Sequence, residues 1–142
     1  MFRALSHDIL VAPQISLDDV AEAARQGVKL IINNRPELES DDQTPGSAIE
    51  AAARKAGLAY VAIPVTHSGF SEPQVLAMAK ALERADGMVL AYCRSGTRST
   101  LLWGLAEASQ GGDPDALTNI AAKAGYDLNP IRPLMDMLKA KA

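Results

Sequence analysis

The sequence predicts a three-layer α/β/α fold with a mainly parallel central sheet of about four strands. Two observations carry this prediction. Short apolar runs alternate with helix-like segments along the whole chain, and such alternation implies crossover connections between parallel strands. The helix-like segments also begin at cap residues, and most end at a glycine. With 142 residues and no visible linker or repeat, the chain is expected to form one domain, residues 1–142.

Four apolar runs are the predicted strands. The run VKLIIN is continuous rather than alternating, which is typical of a strand that helices cover on both faces. Pro64 is expected to end the third run, since proline cannot donate to a strand ladder. The four runs are residues 8–13, 28–33, 58–65 and 88–93.

Six segments are predicted helices. Three of them open with a serine that is followed, three positions later, by a carboxylate or amide, which is the spacing of a capping box. These pairs are Ser16 and Asp19, Ser47 and Glu50, and Ser71 and Gln74. The last two helices open on a cap residue followed by proline. The predicted helices are residues 15–27, 47–57, 71–87, 98–110 and 113–125, and one that starts at Asn129.

Composition excludes several classes of function. A net charge of −3 and a pI near 5.3 argue against a nucleic-acid or anionic-membrane partner. No apolar run approaches the roughly 18 residues of a membrane span, and the first ten residues do not resemble a signal peptide. We therefore expect a cytoplasmic protein. A single cysteine and two histidines leave too few ligands for a structural zinc site, so we expect no metal and no organic cofactor.

The only cysteine, Cys93, ends the predicted strand 88–93, where open α/β sheets bind ligands. Gly96 can adopt a backbone conformation that other residues resist. The helix that starts near Arg98 should direct its free N–H groups and its positive dipole end at this turn. The same features favour the reactive thiolate form of a cysteine. The turn is therefore predicted to be an anion cradle beside a nucleophile.

The rest of the loop consists of arginines and hydroxyl residues. Arg94, Ser95, Gly96, Thr97 and Arg98 supply the predicted anion-binding groups. Arg98 could present a planar fork to an oxyanion, and the hydroxyl of Ser99 could assist the thiolate. The alternative is a buried structural cysteine followed by an ordinary helix cap. Two arginines and several hydroxyl residues are unsuited to a buried core and well suited to binding an anion, which favours the functional interpretation.

From about residue 2 to residue 128, the chain resembles a small bacterial family that includes the phosphatase-like domain of the beta-lactamase hydrolase-like proteins. The motifs INNRP and YCRSGTRS carry the resemblance most specifically. It implies the fold of the dual-specificity phosphatases. Members are described as phosphatases or as sulfurtransferases, and some are fused to a metallo-beta-lactamase-like domain related to persulfide dioxygenases. A persulfide dioxygenase-like partner is therefore one expectation.

The length of the loop bears on the reaction. Phosphatases of this fold use Cys-x5-Arg, but Ser99 occupies that arginine position here and Arg98 comes one residue earlier. The sequence CRSGTR is instead similar to the active loop of single-domain rhodaneses, whose thiolate carries a sulfane sulfur as a persulfide. Sulfur transfer is therefore the favoured hypothesis. Cys93 would take sulfur from a small persulfide or thiosulfate and pass it to a thiol or cyanide.

A second departure concerns the general acid. A phosphatase usually protonates its leaving group with an aspartate on an upstream loop, and the loop PVTHSGFSEP contains none. His67 is the expected substitute and Glu72 the second candidate. The alternative hypothesis is a cysteine-dependent phosphatase that hydrolyses phosphate esters with weak help from His67. A third hypothesis, from a different class, is a non-catalytic module that binds anions or phospho-groups.

Two further positions are candidates for the pocket mouth. Asn34 and Arg35 follow the strand 28–33, at the same edge of the sheet as Cys93. An equally weighted alternative is a turn in which Arg35 pairs with the acidic run 37–42, a run otherwise predicted to face solvent. Tyr126 is predicted to be a packing residue after a helix end.

Overall fold

The computed structural model describes all 142 residues and contains one five-stranded sheet. The strands lie in the order β1-β2-β5-β3-β4, and only β1 runs antiparallel to its neighbour. The mainly parallel sheet is confirmed, with five strands rather than about four. The strands are β1 (Arg3–Ser6), β2 (Ile9–Ala12), β3 (Val28–Asn33), β4 (Ala59–Ala62) and β5 (Met88–Tyr92).

Helices cover both faces of the sheet. One core cluster lies between the sheet and α1 and α2, and a larger cluster lies between the sheet and the remaining helices. In this larger layer α4 is buried on most of its surface and packs against α3, α5 and α6. The three-layer α/β/α fold is therefore confirmed. The helices are α1 (Leu17–Arg25), α2 (Gly46–Lys55), α3 (Glu72–Arg84), α4 (Thr97–Ser109), α5 (Pro114–Lys123) and α6 (Arg132–Lys141).

The strand that the sequence did not reveal is β1. Its four residues, RALS, include only one buried side chain, because β1 is an edge strand that packs one side chain inward. It pairs with β2 across a turn at His7 and Asp8. An edge strand this short has no continuous apolar run, so the signal that predicted the other strands is missing from its sequence.

Two of the predicted helix starts differ from the structure. The capping box of Ser16 and Asp19 is present, but α2 begins at Gly46, so Ser47 lies inside its first turn rather than at its cap. The Gly46 N–H is instead bonded to Glu37 Oε1 at 2.9 Å, a tertiary contact that replaces the local cap. At the end of the chain a 3₁₀ turn, Asn129–Ile131, precedes α6.

None of the six α-helices has both the length and the apolar composition that a membrane span requires.

Candidate active site

Cys93 directly follows β5, the central strand of the sheet, at its carboxyl end. Its N–H donates to Ala12 O of β2 at 3.4 Å, so the backbone there still continues the sheet. The side chain has no exposed surface. The sulfur therefore lies beneath the loop that joins β5 to α4.

The loop brings one backbone donor to the sulfur. Gly96 has a φ of 90°, a left-handed conformation, and its N–H donates to Cys93 Sγ at 3.1 Å. Gly96 is also the cap residue of α4, and its carbonyl accepts the Thr100 hydroxyl at 2.8 Å. A backbone N–H and a helix N-terminus at the sulfur both stabilise negative charge there.

Arg98 is held rigidly beside this loop. Its Nη1 donates to Glu39 Oε2 at 2.6 Å and to Val65 O at 2.7 Å, and its Nη2 donates to Glu39 Oε1 at 2.9 Å. The hydrogen bond that Arg98 donates to Glu39 raises the pKa of Arg98, and the nearby Cys93 sulfur raises it further. Three of the five N–H bonds of a guanidinium are thus engaged. The Nε–H and the second Nη2–H, which share one edge of the plane, donate to no oxygen of the protein.

Glu39 is the centre of a two-arginine ion pair. Its Oε1 also accepts from Arg35 Nε at 2.9 Å. Arg98, whose hydrogen bond is the largest cause, and then Arg35 lower the pKa of Glu39 from 4.5 to about 2. Arg35 continues the network to Gln14 and Ser40, at 2.9 and 3.1 Å. The alternative in which Arg35 pairs with the acidic run 37–42 is therefore the one that the structure shows. The run was otherwise expected to face solvent, but the Glu39 carboxylate is only 13% exposed and orients Arg98.

Asn34 and Arg35 do not lie at a pocket mouth, because both are buried. The Ser99 hydroxyl donates to Asn34 Oδ1 at 2.7 Å, so its proton is bonded to the residue that follows β3 rather than to the Cys93 sulfur. The Asn34 side chain in turn donates to Ile63 O at 3.0 Å. Ser99 and Asn34 therefore tie α4 to the sheet beneath the loop, whereas the sequence suggested that Ser99 assists the thiolate.

The remaining loop side chains face solvent. Ser95 donates to the Thr97 hydroxyl at 3.0 Å, and the Thr97 N–H contacts Ser95 Oγ at 3.4 Å. Arg94 is exposed, and its carbonyl accepts from the Gln14 N–H at 3.3 Å. These groups lie at the rim of the loop, where a bound anion would meet solvent.

His67 is the candidate acid that the structure places nearest the ion pair. Its side chain is 86% exposed, and its Nε2 lies 3.9 Å from Glu39 Oε2. Glu72 is the first residue of α3 and is also exposed. Neither side chain is buried against Cys93, so the unliganded protein holds no preorganised proton donor at either position.

Tyr126, which follows α5, is the residue that the sequence analysis missed. Its hydroxyl donates to Ser95 O at 3.2 Å. A Cβ at Gly96 would overlap this hydroxyl, so only glycine fits beneath the tyrosine. Arg3 of β1 stacks over the ring, 5.6 Å from its centroid. The 31 positions between Ser95 and Tyr126 leave no local sequence signal for this contact.

The larger cavities lie away from Cys93. One of about 470 Å³ opens between α3 and the amino ends of β3 and β4, and is lined by Lys29, Ala59, Ala81 and Arg84 among others. Cys93 lies at the carboxyl end of the sheet instead. The loop is therefore the candidate anion site, because a small tetrahedral anion needs a cradle of N–H groups rather than a deep cavity.

This fold and this loop define a cysteine-phosphatase-like protein. The chain belongs to the family of the phosphatase-like domain of beta-lactamase hydrolase-like proteins, whose model matches residues 1–110. A beta-lactamase hydrolase-like protein of Xylella fastidiosa is 34% identical over 125 residues, which are 87% of this chain and 29% of that protein. The corresponding protein of Agrobacterium fabrum is 34% identical over 107 residues, 75% of this chain and 25% of the relative. The chain thus spans less than a third of these relatives.

Solved structures give the same result for the fold. A protein of Neisseria meningitidis that carries a provisional phosphatase name superposes with a TM-score of 0.83 and 32% identity, covering 96% of both chains. Tk-PTP in its active form gives a TM-score of 0.77 at 17% identity, covering 99% of this chain and 97% of that one. The predicted family and the phosphatase-type fold are confirmed. Between phosphate-ester hydrolysis and sulfur transfer, the matched family model and the Neisseria protein favour the phosphatase.

Proposed function

We propose that this protein is a cysteine-dependent phosphatase that hydrolyses phosphate esters through a Cys93–phosphate intermediate. The observation that carries the proposal is the position of Arg98. Glu39 and Val65 hold its guanidinium near Cys93, which contributes to its raised pKa, and the free edge with two parallel N–H bonds donates to no oxygen of the protein. Such an edge matches two oxygens of a phosphoryl group. The phosphatase-like relatives support the same reaction class.

In the first step the Cys93 thiolate attacks phosphorus, the S–P bond forms, and the bond from phosphorus to the ester oxygen breaks. The leaving oxygen takes the electron pair and then a proton, from water or from His67. The free edge of Arg98 binds the phosphoryl oxygens, whose negative charge must be stabilised in the transition state. The Gly96 N–H stabilises the negative charge on the sulfur that attacks and later leaves. The ester is thereby converted into an alcohol or phenol and a thiophosphate.

In the second step water attacks the same phosphorus. The S–P bond breaks, its electron pair returns to the sulfur, and inorganic phosphate leaves after a proton is lost to solvent. The Cys93 thiolate is restored without any oxidant or reductant. Both steps use the same oxyanion donors, which is why one loop serves a two-step covalent mechanism.

The exposed position of His67 predicts which esters react. Without a buried acid, the first step depends strongly on the leaving group. We expect aryl phosphates to react much faster than alkyl phosphates. A His67→Asn variant should slow alkyl esters more than p-nitrophenyl phosphate, whose leaving group needs no proton. An equal effect on both substrates would exclude His67 as the acid.

Turnover of p-nitrophenyl phosphate by the wild-type protein and by Cys93→Ser tests the proposal directly. We expect phosphate release that Cys93→Ser abolishes, and trapping of a phosphorylated cysteine after rapid acid quench. Lys29→Ala, in the cavity at the opposite end of the sheet, is the control and should leave turnover unchanged. Absence of phosphate release from any aryl phosphate would refute the proposal.

Sulfur transfer is the second candidate, and the short loop favours it. Arg98 stands five positions after Cys93 rather than six, and transfer of a sulfane sulfur expels a good leaving group without an acid. Here the thiolate would attack the outer sulfur of a persulfide, displace the donor thiolate, and later pass that sulfur to cyanide as thiocyanate. Turnover of glutathione persulfide with cyanide, in the absence of phosphatase activity, would establish this alternative.

A further inference from the structure

Tyr126 is the residue that connects the carboxyl-terminal part of the chain to the anion loop. It lies beyond residues 1–110, which the family model matches, yet its hydroxyl is bonded to the loop backbone at Ser95. We propose that Tyr126 is a positioning residue of the loop, which fixes the Ser95–Gly96 peptide so that the Gly96 N–H points at the Cys93 sulfur. Its effect on catalysis rests on the proposed function, but its effect on the loop does not.

The geometry of a single peptide unit carries this inference. The Ser95 carbonyl and the Gly96 N–H belong to one trans peptide, and in a planar trans unit these two groups point in opposite directions. Tyr126 donates to the carbonyl at 3.2 Å, and the N–H on the other side donates to Cys93 Sγ at 3.1 Å. A hydrogen bond that fixes one end of the unit therefore also fixes the other.

Gly96 makes this hydrogen bond necessary. Glycine populates positive and negative φ almost equally, so a peptide next to Gly96 can rotate at low cost when nothing holds it. The structure has Gly96 at a φ of 90° with the Tyr126 hydroxyl directly above it. The tyrosine thus supplies the constraint that the glycine backbone lacks.

Tyr126 is itself fixed in place. Arg3 lies over its ring, and Arg3 Nη1 donates to Ala124 O at 2.8 Å. Burial raises the pKa of Tyr126 more than the charge of Arg3 lowers it, and the charge of Cys93 adds to the increase. The phenol therefore keeps its proton and remains a donor to the Ser95 carbonyl. This argues for positioning rather than for proton transfer to a leaving group.

The variant that tests the inference is Tyr126→Phe, which keeps the ring and removes only the hydroxyl. Its matched control is Tyr60→Phe, because Tyr60 is also half-buried and its hydroxyl is bonded at 2.9 Å to Asn33, away from the loop. The first measurement is the amide ¹H–¹⁵N resonance of Gly96 in the unliganded protein. We expect Tyr126→Phe to move it upfield and Tyr60→Phe to leave it in place. An unchanged resonance in Tyr126→Phe would overturn the inference.

The second measurement is the affinity for inorganic phosphate, followed by calorimetry or by the same amide resonances. Loss of one neutral hydrogen bond that orders the loop should weaken binding by about tenfold, whereas the control should bind as the wild type does. A purely structural role would lower the melting temperature of both variants without this difference in affinity. Equal phosphate affinities in the two variants would refute positioning.

These measurements need no turnover, so the two proposals can fail separately. If the wild type does not hydrolyse p-nitrophenyl phosphate but Tyr126→Phe moves the Gly96 resonance, the proposed function fails and the positioning role stands. If the wild type is active and Tyr126→Phe has the same kcat, KM and resonance, the positioning role fails and the function stands. If both hold, kcat/KM for p-nitrophenyl phosphate should fall in Tyr126→Phe and stay at the wild-type value in Tyr60→Phe, because only the first variant frees the Ser95–Gly96 peptide.

Discussion

Replacing Glu39 by Gln should destabilise the protein by an amount that depends on pH. The carboxylate has a pKa of about 2 in the folded protein and 4.5 when unperturbed. A difference of about 2.5 units corresponds to about 3 kcal/mol. This agrees with the low end of the range of about 3–5 kcal/mol that is typical when one member of a buried ion pair is removed. Two arginines also lose their partner, so we expect a cost of at least this size near neutral pH.

The sign of the pH dependence follows from the lowered pKa. The ionised carboxylate contributes its full stability above pH 4.5, and this contribution is lost as the pH falls toward 2. At pH 3.5 the linkage relation removes about 1.4 kcal/mol of the advantage of the wild type. Because other groups titrate equally in both proteins, the difference between wild type and Glu39→Gln isolates this one carboxylate.

Urea unfolding at pH 6.5 and at pH 3.5 measures this difference. The control is Glu50→Gln, which removes an exposed pair with Arg54 of similar length, 2.7 Å, and should cost about 0.5 kcal/mol or less at both values. A Glu39→Gln effect on the free energy of unfolding below about 1 kcal/mol, or one of equal size at both pH values, would refute the assignment of Glu39 as the carboxylate that orients Arg98. Turnover of p-nitrophenyl phosphate should also fall, by about 10²-fold, since Arg98 would no longer be oriented.

Two further substitutions test the loop itself. Gly96→Ala should abolish turnover, whereas Gly111→Ala, with a similar left-handed φ but open space around it, should only destabilise the protein by about 1–2 kcal/mol; equal turnover in the two variants would argue against overlap at Gly96. Ser99→Ala should cost about 1–3 kcal/mol in chemical denaturation, because the buried Asn34 acceptor loses its donor. Ser109→Ala removes a half-buried hydroxyl on the same helix, and an effect as large as that of Ser99→Ala would show that burial of Asn34 is not the cause.

The part of the fold that could be predicted is the part with local signals. Continuous apolar runs revealed the four mutually parallel strands, and cap residues marked five of the six predicted helices, although the start of one of these five was misplaced. β1 was not predicted because it is a short edge strand that pairs only with β2, and most of its side chains are exposed. The start of α2 was misplaced because Glu37, from outside the helix, caps it.

The candidate site divides in the same way. Cys93 and its loop are contiguous in sequence, so residue types and spacing were enough to locate them. Glu39 could not be assigned, because it is 59 positions from Arg98 and looks like one more acid in a polar loop. Tyr126 looked like a packing residue for the same reason. Long-range pairing, rather than residue type, decides which polar side chains serve the site.

Because Cys93 is completely buried, the rate at which its thiol reacts depends on the motion of the loop that covers it. A sulfur with no exposed surface can be reached only after residues of the loop have moved, so every reaction at it begins with the same opening event. Alkylation should then become independent of reagent concentration once the reagent captures each opening faster than the loop closes. Resistance of this thiol to oxidants and inhibitors would be set by how often the loop opens.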